Sequence, residues 1–155
     1  MLDTLTLVAY LLGNNAGHPD HLRLHAQFFG TEKQTVCAQK SESPQLRWSG
    51  VSPEATSLAV IIKDPSHYYW VVYNLPVDTK NLSFSIDHHM LQTNQGVNSW
   101  GIQAYHSRCW ENRYHPVSVE LFVLDTRFSN NESMSGKIVE EKMHGHILAK
   151  KIIHQ

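Results

Sequence analysis

Residues 57–76, SLAVIIKDPSHYYWVVYNLP, decide the fold. They hold two apolar runs, 58–62 and 70–73, rich in the β-branched and aromatic residues that suit strands. Pro65 fixes φ and removes a donor, so the first strand is expected to stop at or near Asp64. A carboxylate at the end of a buried strand, followed by a rigid turn and a cluster of aromatics, is one wall of a pocket.

Upstream of this stretch, Leu46 and Trp48 alternate with Arg47 and Ser49, and Leu22, Leu24 and Ala26 alternate like a half-buried strand. Residues 41–44 and 50–53 read as turns. Within 2–12 several apolar residues fall on one helical face before a stop at Gly13, Asn14 and Asn15. Residues 1–21 are therefore read as a helical extension and 22–155 as a single domain.

Downstream, residues 77–90 read as a surface loop with a short strand at 82–86. Residues 91–116 lack periodicity but carry Trp100, Tyr105, Trp110 and Tyr114, which marks a folded functional loop. Residues 117–125 form a strand apolar enough for the middle of a sheet. Asn130 or Asn131 is expected to cap a helix over 132–143 with Met134, Ile138 and Val139 buried, and 146–153 form a last strand. Several strands with one or two short helices make a mainly-β sandwich.

The composition excludes several classes. The formal net charge is −1, and Lys and Arg are dispersed, which gives no basic stripe for nucleic acid. No stretch approaches the ~20 apolar residues of a membrane span, and the apolar start lacks the basic flank of a secretory signal. Eleven histidines are read mainly as solvated surface residues that let acid change the surface charge. Cys37 and Cys109 allow one pairing at most; two free thiols are expected, which favours a reducing compartment and hence the cytoplasm.

Catalysis and metal binding find little support. Asp64, Ser66 and His115 supply the residue types of a serine hydrolase, but no Gly-x-Ser-x-Gly elbow is present, so no catalytic residue is assigned. His144 and His146 would share a face if they lay on a strand, the strongest metal hint. Without a Cys-x-x-Cys or His-Glu-x-x-His pattern they are read as structural, with neither metal nor cofactor expected.

Four segments then line up in order: 43–48 (SPQLRW), Asp64-Pro65 with 70–76 (WVVYNLP), 95–101 (QGVNSWG) leading to Tyr105, Cys109 and His115, and 143–149 (MHGHILA). Together they resemble the phosphatidylethanolamine-binding protein family, in its bacterial Raf-kinase-inhibitor-like branch, over about residues 22–153. The resemblance implies a sandwich of two antiparallel sheets and a small pocket for anions such as phosphate or a phospholipid headgroup. It assigns Asp64, Tyr105, Cys109 and His115 to that pocket. Ser66 replaces the family motif's second Asp, and Tyr69 stands where the family has a histidine before Trp70. His106, Ser107, Arg108 and Trp110 replace glycines and prolines. The expected site is therefore Asp64, Tyr69, Tyr105 and His115, with Ser66, Trp70, Ser107, Arg108 and Cys109 around it. The expected ligand is a small anion or phosphorylated small molecule, bound without catalysis. The alternative is a protein-interaction module or homodimer with a vestigial pocket.

Overall fold

The computed structural model describes residues 21–28, 43–82, 93–111, 113–129 and 133–155. The expected N-terminal helix and the expected strand beyond Leu82 lie outside these residues. The strands in chain order are β1 (Arg23–Gln27), β2 (Gln45–Ser49), β3 (Ser57–Lys63), β4 (Tyr68–Leu75), β5 (Asn81–Leu82), β6 (Asn94–Gln95), β7 (Cys109–Trp110), β8 (Arg113–Tyr114), β9 (Ser118–Leu124) and β10 (Ile147–His154). Among the described residues one helix, α1, spans Gly136–Met143.

A five-stranded sheet runs β10-β9-β3-β4-β6, and a three-stranded sheet runs β1-β2-β5. Among the described residues every pairing between these strands is antiparallel. Between the sheets, Leu58, Val60, Ile62, Val72, Val119, Leu121 and Val123 meet Leu24, Leu46 and Trp48. The opposite face of the large sheet, with Ala59, Ile61, Val71, Tyr73, Phe122 and Leu124, packs under Met134, Val139 and Met143. Both faces of β3 are thus covered, which is why its sequence is continuously apolar rather than alternating. Each such side chain, fully buried, contributes roughly 1.5–3 kcal/mol.

One irregularity positions the site. Ile62 faces Trp70 and Lys63 faces Tyr68, so Tyr69 is an extra residue on β4. A bulge of this kind breaks the strict alternation of faces. Tyr69 and Trp70 consequently both enter the inter-sheet core, while Tyr68 packs on the helix side.

The helix differs from the sequence reading. It begins at Gly136 and is capped by Ser135, whose Oγ accepts from the Ile138 amide at 3.4 Å. Counted from Gly136, Val139 and Met143 share the inward face one turn apart, and Ile138 turns outward at 42% exposure. The late start has a reason in the segment before it: Ser135 bridges to Val97, whose amide donates to the Met134 carbonyl at 2.8 Å, so the helix begins after them, at a Gly136 whose Cβ would lie 2.3 Å from the Tyr68 ring. The expectation of two free thiols also fails, because Cys109 is disulfide-bonded. Cys37, the other cysteine of the sequence, lies outside the described residues. No helix among the described residues is long and apolar enough to cross a membrane.

Candidate functional site

Asp64 stands where β3 ends and folds its own turn. Its Oδ1 accepts from the amides of Ser66 and His67, both at 2.7 Å, and its Oδ2 accepts from the Tyr69 hydroxyl at 2.7 Å. An aspartate that bonds amides two and three residues on is an Asx turn, and Pro65 stiffens it. Burial pushes the carboxyl pKa up, but the hydrogen bonds from Tyr69, Ser66 and His67 outweigh this and hold it below the usual carboxylate range. Burial and the neighbouring Asp64 carboxylate push the Tyr69 hydroxyl well up, which keeps it a donor.

The aperiodic segment after β6 docks along the edge of β4. The amides of Ser99 and His106 donate to the carbonyls of Tyr68 and Tyr69, both at 2.9 Å, and the Tyr68 amide donates to Ser99 Oγ at 2.7 Å. Buried Asn98 holds the loop's shape: its Oδ1 accepts from Trp100 and Ile102 amides, and its Nδ2 donates to the Ala104 carbonyl. The loop is folded, as its aromatic content implied.

These connections gather five rings into one row. His106 stacks on Trp100 at 3.6 Å, Trp100 on His67 at 5.2 Å, and Trp110 on His115 at 4.2 Å. His67 leans on Trp110 at 4.9 Å and joins the two stacks. Trp110 Nε1 donates to the Tyr69 hydroxyl at 3.0 Å, so that oxygen donates to Asp64 and accepts from Trp110. Two buried ring nitrogens in this row, His67 Nδ1 and His115 Nε2, have no hydrogen-bond partner among the described residues. The nearest anion to His67 Nδ1 is Asp64 Oδ1, at 3.7 Å.

The expected residues separate into groups. Asp64, Tyr69 and His115 come together through Trp110. Tyr105 packs edge-on against Trp70, and burial, opposed by Arg108, pushes its hydroxyl up to about 12. Trp70 is a core residue whose indole donates to Gln95 at 2.9 Å. The Arg108 guanidinium, expected around the pocket, lies buried over the rings of Phe28 and Tyr114, at 4.1 and 3.8 Å. Ser107 Oγ accepts from the Cys109 amide. Ser66 is exposed in the turn and makes no hydrogen bond with His115 among the described residues. His144 and His146 flank Gly145, at φ +82°, in the helix-to-strand junction rather than on a strand. His146 pairs with Asp125 at 2.8 Å, and no metal-competent group of three ligands occurs among the described residues.

Sequence reasoning missed His67, Trp100, His106 and Trp110 as parts of the site. The legible signal was the concentration of rings in the turn and in the loop without periodicity. The same turn also borders a cleft of about 510 Å³ lined by Lys63, Asp64, Ser66, His67, Ser118 and His154, among others. Tyr69, Tyr105 and His115 do not line it.

Comparison with known proteins follows the same outline. Residues 23–154 match the phosphatidylethanolamine-binding protein family. A UPF0098 protein of Methanothermobacter thermautotrophicus is 34% identical over 121 residues, 73% of this chain and 80% of its own length. A UPF0098 protein of Chlamydia muridarum is 30% identical over 127 residues, 76% of this chain and 83% of its own length. Among solved structures, a phosphatidylethanolamine-binding protein homolog of Chlamydia trachomatis superposes with a TM-score of 0.71 at 28% identity, covering 86% of this chain and 94% of the other. Escherichia coli YbcL, presented as a member of the mammalian family, reaches a TM-score of 0.71 at 20% identity over 86% of this chain and 96% of its own, a likeness of fold.

Proposed function

This chain belongs to the phosphatidylethanolamine-binding protein family, and on that premise we propose that it is a non-enzymatic protein that binds a small anion or phosphorylated headgroup at the ring row around Asp64, Tyr69, Tyr105 and His115. The observation that supports this reading is the pair of buried, unpartnered ring nitrogens, His67 Nδ1 and His115 Nε2. Buried polar atoms are nearly always satisfied, so an unsatisfied pair in one cluster invites an acceptor from outside. Asp64 is not that acceptor's partner, since its own turn and Tyr69 already use both oxygens. It fixes the geometry and the Tyr69 hydroxyl instead.

The test is calorimetric titration with phosphoethanolamine, comparing the wild type with His115→Ala. Saturable heat in the wild type, weakened at least tenfold in the variant, is the expected result. Equal heats for the two proteins would sink the assignment.

A second reading, an interaction module with a vestigial pocket, is favoured by one fact: the Tyr69 hydroxyl and one face of His115 are already occupied by Trp110. In that reading Trp110→Ala leaves phosphoethanolamine binding absent, whereas in the first it does not abolish it. Assignment to the bacterial Raf-kinase-inhibitor-like branch belongs to the proposal; the relatives include both archaeal and bacterial proteins. Cytoplasmic location rested on free thiols, and the disulfide at Cys109 removes that support and fits an oxidising compartment better. Labelling of Cys109 by a thiol reagent in unreduced protein would restore the cytoplasmic reading.

A further inference from the structure

The ring row that carries the proposed function is closed. His67 Nδ1 and His115 Nε2 are buried without a hydrogen-bond partner among the described residues, and the cleft of about 510 Å³ beside the turn reaches neither Tyr69 nor His115. For a ligand to meet both nitrogens, a side chain has to move. Trp110 is the ring placed between the two histidines in the row. It stacks on His115 at 4.2 Å, meets His67 at 4.9 Å and donates its indole N–H to the Tyr69 hydroxyl at 3.0 Å.

The backbone that carries Trp110 is weakly anchored to the rest of the fold. β7 and β8 have two residues each and form a two-stranded sheet of their own, joined to neither larger sheet. A two-stranded hairpin by itself is marginal in water. Glu111, the residue after Trp110, has φ +52°, a left-handed conformation that strains a residue with a Cβ and lasts only where the surroundings enforce it. Hydrogen bonds from the His115 amide to the Arg108 carbonyl at 3.0 Å and from the Cys109 amide to Ser107 Oγ at 3.2 Å help to enforce it. The Arg108 guanidinium over Phe28 and Tyr114 does the same. A further constraint is covalent. Cys109, one residue before Trp110, is disulfide-bonded, and it is half-buried rather than sealed in the core, so the bond is open to thiol exchange.

We infer that the disulfide at Cys109 is a redox latch on the ring row. Oxidised, it holds Trp110 against His67, His115 and Tyr69; reduced, it lets the hairpin relax and Trp110 swing away, which opens the two ring nitrogens to a ligand. The step is thiol–disulfide exchange. A dithiol gives two electrons and two protons and closes to its own cyclic disulfide, while Cys109 and the cysteine bonded to it are left as thiols. The apparent affinity of a site scales with the fraction of molecules in which it is open, so the latch sets affinity without changing a ligand contact. It rests on the ring-row reading for its ligand, but not for the motion of Trp110.

The test follows the indole N–H resonances of the full chain by NMR in oxidised protein, in protein reduced with a dithiol and in Cys109→Ser, with Trp110→Phe identifying the Trp110 signal by its loss. On reduction, and in Cys109→Ser, that signal should move toward the position of a free indole. The Trp48 and Trp70 indoles, buried in the core, should stay in place and report an intact fold. Phosphoethanolamine titrated calorimetrically into the same samples should bind about tenfold tighter to reduced protein and to Cys109→Ser than to oxidised protein, and Trp110→Ala should bind it equally in both redox states. A Trp110 signal that does not move would make the bond a structural staple and overturn the inference. Loss of the Trp48 and Trp70 signals along with it would show that reduction melts the domain, and would overturn it as well, as would labelling of Cys109 by a thiol reagent in unreduced protein. Equal, measurable affinity in the two redox states would also overturn it. Absence of heat in both states, with Trp110 released by reduction, would instead overturn the function proposed above and leave the latch standing.

Discussion

Tyr68 and Tyr69 are neighbours in sequence, and each donates its hydroxyl to a carboxylate: Tyr68 to Glu140 at 2.6 Å, Tyr69 to Asp64 at 2.7 Å. Both hydroxyls are pushed well above their usual pKa, first by burial and then by the carboxylate. Strand alternation sends them to opposite faces of the large sheet, the bulge adds Trp70 to the side of Tyr69, and their settings differ from there. Under Tyr68 the charges answer one another, with Lys63 bonded to Glu140 and 3.6 Å from Glu120. Under Tyr69 a single carboxylate is held by neutral donors, and two histidine nitrogens, His67 Nδ1 and His115 Nε2, have no hydrogen-bond partner among the described residues. A closed charge network joins helix to sheet; an open one is what a ligand needs.

The largest effect should come from breaking the closed network. Glu120 is buried and its pKa is raised by that burial, against the pull of Lys63. Lys63→Ala leaves Glu120 and Glu140 facing each other with Lys150 as the remaining cation acting on Glu120. Breaking a fully buried pair costs ~3–5 kcal/mol, and the 29% exposure of the Lys63 side chain lowers this to about 2–3. The raised pKa fixes the sign with pH: Glu120 takes up a proton before an ordinary carboxyl does, so the loss should shrink as the solution is acidified. Urea unfolding at neutral pH and near pH 4 measures both. A loss that grows with acid would show that Glu120 is not the group left stranded.

Removing the two hydroxyls separately comes next. Tyr69→Phe strips a partner from Asp64 Oδ2 and from the Trp110 indole at once, in a side chain with no exposure. Stranding buried polar groups costs ~1–3 kcal/mol, and about 2 is expected here. Tyr68→Phe should cost about 0.5–1, because Glu140 keeps Lys63 and its side chain is 28% exposed. Near-UV circular dichroism should change in Tyr69→Phe beyond the loss of one phenol, as the ring row loosens. Equal unfolding midpoints for the two variants would erase the distinction between the faces.

How much of this was legible follows from where the signals lie. The apolar runs of β3, β4 and β9 and the alternation of Leu24, Leu46 and Trp48 fixed the strands, because burial on one or two faces writes itself into period and content. The bulge at Tyr69 left no mark, since Tyr, Tyr and Trp suit either face. The helix start was misplaced because Asn130, Asn131 and Ser135 are all good caps, and the pairing of Met134 and Ser135 with Val97, distant in sequence, is what holds those two residues out of the helix. At the site, Asp64 was legible through Pro65. The row His106, Trp100, His67, Trp110, His115 was not, because it is assembled across a turn, an edge-docked loop and a hairpin that are far apart in sequence.

The smallest effect tests the open face through its charge. Asp64→Asn keeps an oxygen for part of the turn but places an amide where a second acceptor is required, so about 1 kcal/mol should be lost at neutral pH. Asp64 has a folded-state pKa held below its usual 3.8, so the stability tied to its ionised form is present above that value and disappears as pH falls through the folded one. The gap between wild type and variant should therefore be constant while the pH stays above the usual carboxylate range and close as it falls below that range. Thermal melts across this range decide it. A gap that persists at the acid end would mean that the turn's shape, rather than the carboxylate's charge, is what Asp64 contributes, and the two tyrosines would then differ only in burial.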